Sequence, residues 1–237
     1  MTARRFSALR PIRLSDTDTT GRLRLDAVAR YLQDVAADDV LDAGWAPDEH
    51  IWVVRRTALD VIAPFLDDTA VELATWCGGT AASAAARRTS LTGDRGGRIE
   101  AEMIWIHLGP GLQPLRLDAR FKAVYGESAA GRRASTRLEL PAPPADAARD
   151  LWRLRATDVD RLRHVNNAAY WAPVEELFEP RLAEPHHAVL EYRRPLDLGD
   201  ALELRRAGDS LWFIVDGAVR AAAILRSGCA PTSFAST

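Results

Sequence analysis

The segment Asp158-Val159-Asp160-Arg161-Leu162-Arg163-His164-Val165-Asn166-Asn167 places two carboxylates, an imidazole and two carboxamides within ten residues. An imidazole that titrates near neutrality can take a proton from water, and a carboxylate a few residues away can orient the ring. Asn166 and Asn167 add side-chain donors. Ala168-Ala169-Tyr170-Trp171 follow and open a helical stretch, so the backbone amides after Asn167 face whatever sits at the helix start. His164 is the natural base of this set, with Asp160 as the group that orients it. The competing structural reading is that Asp160 forms a turn and Asn166-Asn167 cap a helix, since asparagine is among the best N-caps.

A fainter copy of the cluster lies near the start of the chain, at Ser15-Asp16-Thr17-Asp18-Thr19-Thr20-Gly21-Arg22. Asp16 and Asp18 align with Asp158 and Asp160, and Arg22 falls on His164. The histidine is lost in this copy, so the repeat implies one working site per chain.

Each cluster is followed by a helix and then by strands. Val28, Tyr31, Leu32 and Val35 fall at i, i+3, i+4 and i+7, an amphipathic stripe with Asp26 available as a cap and Gly44 as a stop. Strand-like segments follow at residues 51–62, 70–77, 84–91, 98–107 and 115–124, punctuated by Asp67-Asp68, Gly78-Gly79 and Gly93-Asp94-Arg95-Gly96-Gly97. The second half repeats the order: a strand from Trp152, the polar cluster, and a helix over 170–182 carrying Tyr170, Val174, Leu177 and Phe178 on one face. Strands at 188–194, 201–206, 211–215 and 218–226 complete it. Pro173 either marks the regular start of that helix or kinks it. The reading is α+β, with halves at residues 1–126 and 150–237 joined by a Pro/Ala/Arg-rich linker at 127–149.

Bulk properties narrow the function. A formal charge of −2 gives no net pull toward nucleic acid or an anionic membrane, and 47% apolar residues suffice for a buried core. No apolar run approaches the roughly 20 residues of a membrane span, and residues 1–10 lack a signal-peptide core, so a cytoplasmic protein is expected. Cys77 and Cys229 read as structural, and His186-His187 with His164 lack the spacing of a metal site. No metal or cofactor is expected.

The motif Asp160-x-x-x-His164-Val165-Asn166-Asn167, with Leu190-Glu191-Tyr192-Arg193-Arg194 downstream, resembles the C-terminal half of plant and bacterial acyl-ACP thioesterases. Ile51-Trp52-Val53-Val54-Arg55-Arg56, Thr75-Trp76 and Ile104-Trp105-Ile106 resemble strands of that family's N-terminal half. The likeness spans about Phe6 to Arg226. It implies two tandem hotdog domains, each a long helix wrapped by a curved antiparallel β-sheet, and hydrolysis of the thioester between a fatty acyl chain and acyl carrier protein or coenzyme A. The first half would be the degenerate copy that shapes the acyl pocket. A homodimer is left open.

Carried over residue by residue, the family's Asp falls on Asp160 and its His on His164. Leu162 stands where the family has Asn, and Pro195-Leu196 where it has a polar pair. The resemblance makes Asp160, His164, Asn166 and Asn167 catalytic candidates. Helical carboxylates serve as base or nucleophile in other hotdog thioesterases, which adds Glu175 and Glu176, with Glu176 the candidate retained. Trp52 and Trp76, with Trp105, read as core or acyl-pocket wall, and Arg193 and Arg194 as docking groups for an acidic carrier or as a solvated strand face. Two other functions compete: a double-hotdog enoyl-thioester hydratase, whose motif carries an Asn-Pro absent here, and a non-catalytic acyl-thioester binder, favoured by Leu162 and Pro195-Leu196.

Overall fold

The computed structural model describes residues 3–46, 51–161 and 163–228. Leu162 and Cys229 lie outside them. The first half runs β1 (Phe6–Pro11), α1 (Leu25–Asp42), β2 (Ile51–Ala63), β3 (Ala70–Thr80), β4 (Ala84–Gly93), β5 (Arg98–Leu108) and α2 (Ala119–Ala129). The second runs β6 (Ala148–Trp152), α3 (Trp171–Phe178), β7 (His186–Tyr192), β8 (Leu202–Ala207), β9 (Ser210–Val215) and β10 (Ala218–Ser227).

All strands join one 10-stranded sheet in the order β1-β3-β4-β5-β2-β7-β10-β9-β8-β6. The halves are mirror images in this order, each with its edge strand outermost, and they meet where β2 pairs antiparallel with β7 from Arg56↔Glu191 to Val61↔His186. A two-fold relation therefore passes through the β2–β7 seam. The apolar stripe of α1, with Val28, Leu32 and Val35 fully buried, packs on one sheet face against Leu59, Leu73 and Leu91. Trp171, Val174 and Phe178 of α3 join the same core with Leu190, Leu204 and Phe213, so one continuous core serves both halves. This is the tandem hotdog architecture. Among the described residues no helix is long and apolar enough to cross a membrane.

Two expectations change, and the alternative left open at Pro173 is decided. The segment 115–124 is not a strand: Asp118 caps α2, its carboxylate accepting the Phe121 N–H at 2.7 Å, and the helix closes the end of the first half. α2 stacks Phe121 and Tyr125 on Trp45, with ring centroids 6.2 and 5.4 Å away. Asp26 does not cap α1; it pairs with Arg24 and Arg30 on the helix flank. Pro173 falls in the first turn of α3, where its missing N–H costs nothing, so the helix starts regularly.

The stretch after α2 is packed rather than loose. The Glu139 and Leu140 N–H groups donate to the buried Glu191 carboxylate, and the Trp212 indole donates to Pro141 O at 2.7 Å. These bonds lay the stretch over the sheet face that α3 does not cover.

Candidate active site

The chain enters α1 and α3 through the same turn, hydrogen bond for hydrogen bond. Asp16 accepts the Arg13 N–H at 3.0 Å as Asp158 accepts that of Arg155 at 2.8 Å. Asp18 N–H donates to Arg22 O (2.9 Å) and Asp160 N–H to His164 O (3.0 Å). Arg24 N–H reaches Asp16 O and Asn166 N–H reaches Asp158 O. Leu23 N–H donates to Phe65 O (3.1 Å), and Val165 N–H to Leu196 O (2.9 Å). The repeat read in the sequence is thus a repeat in space, with Arg22 on His164 and Leu66 on Asp197.

The copies differ in what their side chains do. Arg22 is buried, with Nη2 2.6 Å from Glu175 Oε2 and Nε 3.0 Å from Asp18 Oδ2. Burial by itself would lower its pKa, but the hydrogen bond and charge of Glu175, reinforced by Asp18, raise it, so the guanidinium stays charged. Glu175 also accepts the Leu25 N–H at the start of α1. The first copy is filled by its own ion pair.

The second copy is open. The His164 side chain is 51% exposed, and its Nδ1 lies 2.8 Å from Asp197 Oδ1. In the neutral tautomer that donates Nδ1–H to this carboxylate, Nε2 is the ring's acceptor. Asp197 owes its place to Leu196, whose side chain is buried in the core and whose backbone is held at both ends. Its C=O accepts the Val165 N–H, and its N–H donates to the Tyr170 hydroxyl at 3.0 Å. Burial pushes the Tyr170 phenol well above its ordinary pKa, so the anchor remains neutral. Asp197 and Asp200 then close a short turn, Asp197 N–H to Asp200 Oδ2 at 2.9 Å.

Asp197 was not among the sequence candidates. Its signal was the Asp directly after Pro195-Leu196, one position beyond the expected polar pair. Asp160, expected to orient His164, receives Asn166 Nδ2 at 3.5 Å, and its backbone shapes the loop. Asn166 caps the turn Asn167–Tyr170, its Oδ1 accepting the Ala168 N–H at 2.8 Å. The Asn167 C=O accepts the Tyr192 hydroxyl at 3.1 Å. Glu176 is exposed on the outer flank of α3, and its neighbour Glu175 is the one turned inward.

The remaining candidates lie elsewhere. Trp52 stacks on His107 (4.8 Å) and packs against Phe121 beneath α2. Trp76 alternates with the buried Thr75 and Cys77, so it faces away from α1, under the Arg5 guanidinium at 4.3 Å. Arg193 holds the chain stretch after α2 through Leu140 O, and Arg194 is exposed. Cys77 is a buried free thiol whose pKa burial raises.

His187 pairs with the buried Asp60 across the β2–β7 seam, Nδ1 to Oδ1. His186 is 2% exposed, with Nδ1 2.7 Å from Glu184 O. Burial lowers the His186 pKa below 6.5, and the nearby Arg22, His187 and Arg181 charges add to this against the Glu184 bond. The folded state then binds fewer protons than the unfolded chain once the pH drops below about 6.5, so stability is full above that pH and is lost toward the lower folded pKa. Unfolding free energies from urea titrations at pH 7.5 and 5.0 are expected to differ less in a His186→Gln variant than in the parent, by up to about 1.4 kcal/mol per pH unit.

Comparison with known proteins bears on the family and the fold. Residues 4–110 match the family model of the acyl-ACP thioesterase N-terminal domain and residues 142–216 that of the C-terminal domain. An uncharacterised protein of Mycobacterium tuberculosis is 38% identical over 219 residues, 90% of this chain and 88% of that protein. Among solved structures, the fold is similar to a 12:0-ACP thioesterase from Umbellularia californica (TM-score 0.76, 18% identity, 95% of this chain and 98% of that one). It is also similar to an acyl-ACP thioesterase from Bacteroides thetaiotaomicron (TM-score 0.74, 16% identity, 94% and 97%). Two matched halves and one sheet folded about a two-fold seam identify the chain: it belongs to the acyl-ACP thioesterase family, hydrolases of fatty acyl thioesters.

Proposed function

We propose that this protein is a cytoplasmic hydrolase that releases a fatty acid from acyl-ACP or acyl-CoA at the second copy of the repeated turn, with His164 as general base and Asp197 as its orienting carboxylate. The observation that carries the reading is the His164 Nδ1 to Asp197 Oδ1 contact at 2.8 Å in the copy left open to solvent. Asp197 supplies the carboxylate function that Pro195-Leu196 lacks, which argues for turnover over mere binding.

In this reading His164 Nε2 takes a proton from water as the water oxygen attacks the thioester carbonyl carbon. The oxyanion that forms is stabilised by the Asn167 backbone N–H at the start of the turn Asn167–Tyr170. Collapse breaks the C–S bond, and the imidazolium returns its proton to the departing thiolate. Asp197 keeps Nδ1 protonated throughout and stabilises the imidazolium. Asp160 and Asn166 hold the loop in shape. The buried first copy contributes packing, and the first half supplies the acyl-pocket wall.

Incubating the purified chain with acyl-ACP and acyl-CoA of several chain lengths is expected to release free thiol. Loss of enoyl-CoA absorbance without thiol release would instead place the protein among the hydratases, and acyl-thioester binding without either reaction would make it a non-catalytic binder.

A further inference from the structure

The two-fold relation extends beyond the turns into the helices. Glu175 on α3 follows Asn167 by eight residues, and Gln33 on α1 follows Leu25 by eight. The residues beside them share one burial pattern, Leu32 and Val174 being buried and Asp34 and Glu176 exposed. Glu175 uses that position to reach the other half, where its carboxylate accepts the Leu25 N–H and pairs with Arg22. Exchange of the halves replaces Leu25 by Asn167, Arg22 by His164 and Glu175 by Gln33. α1 packs against α3 and against the turn Asn167–Tyr170, and Gln33 is half-buried on it. Among the described residues the Asn167 N–H has no acceptor, whereas its counterpart on Leu25 is taken by Glu175.

From this exchange we infer that Gln33 is a catalytic residue of the working site, donating from its side-chain amide to the thioester carbonyl oxygen while the Asn167 N–H donates from the second half. The inference rests on the hydrolase reading above. The chemistry of the two side chains explains why one copy is closed and the other open. A carboxylate accepts the helix-start N–H and neutralises the adjacent cation, so the position where an acyl oxygen would sit is already occupied. A carboxamide carries no charge to hold it there, and its NH₂ offers donors to an oxygen that gains negative charge as water attacks.

The test compares the full chain with Gln33→Ala and Gln33→Glu. Hydrolysis of acyl-ACP and acyl-CoA is followed as thiol release, and the backbone amide of Asn167 is followed by ¹H–¹⁵N NMR. Gln33→Ala is expected to lower kcat about 10²–10³-fold with little change in KM, as loss of one oxyanion donor does. Gln33→Glu, nearly isosteric, is expected to lose at least as much, because it rebuilds the plug of the first copy. Its carboxylate should also move the Asn167 amide proton downfield. Activity of both variants within twofold of the parent, together with an unmoved Asn167 resonance in Gln33→Glu, would overturn the assignment. If the parent itself releases no thiol, the hydrolase reading fails, and the Asn167 resonance still decides whether residue 33 stands at that amide.

Discussion

A His164→Ala variant is expected to hydrolyse fatty acyl thioesters about 10²–10⁴-fold more slowly than the parent, the usual contribution of a positioned general base. Water is a poor nucleophile until a proton leaves it, and His164 Nε2 is the acceptor that the open copy presents. The loss should fall on kcat rather than KM, because the imidazole acts on the water and not on the acyl chain or carrier. Thermal stability should hardly change. The ring is half-exposed, and its removal opens no cavity and leaves no buried charge, so a stability effect within about 0.5 kcal/mol is expected. Thiol-release kinetics and a melting curve on the same sample separate the two effects.

The opposite pattern is expected at the closed copy. Glu175→Ala should destabilise the fold by about 3–5 kcal/mol, the cost of removing one partner from a buried ion pair. The charged Arg22 would remain buried with only Asp18 beside it, and the Leu25 N–H would lose its acceptor. For a chain of this size each kcal/mol moves Tm by about 2–4 °C, so the melting temperature should fall by roughly 6–20 °C. Replacing both partners by apolar residues of similar volume, Arg22→Met with Glu175→Leu, should recover most of that loss, since no uncompensated charge remains. A double variant as unstable as Glu175→Ala would mean that the pair specifies how the halves dock and does more than satisfy its own charges.

What could be read from the sequence was local. The polar clusters at Asp16 and Asp158 repeat because their hydrogen bonds close within a few residues, so type and spacing suffice to reveal them. The α1 stripe and most strands were equally legible, since periodicity reports which face is buried. The sequence was silent where a distant element decides. Glu175 and Glu176 are neighbours on one helix, and only the start of α1, in the other half of the chain, selects Glu175 to turn inward. That same contact is why α1 needs no cap from Asp26. Asp197 meets His164 because Leu196 is pinned by Tyr170 and Val165, a restraint invisible in a motif that ends at Asn167. Trp76 reads by residue type as core or acyl-pocket wall, and its strand parity beside Thr75 places it on the sheet face away from α1. Residues 115–124 carried a helix signal in Asp118 that their strand-like apolar content obscured.

The central claim is that His164 and Asp197 work as one unit in the open copy, and a double-mutant cycle on thiol release tests it most directly. Rates are measured for the parent, His164→Ala, Asp197→Ala and the double variant. If Asp197 acts through the imidazole, its removal alone should slow hydrolysis substantially, on the order of 10²-fold or more. Once His164 is gone, removing Asp197 as well should cost nothing further. An Asp197→Ala rate within twofold of the parent, or a double variant slowed by the full product of the two single effects, would contradict the account.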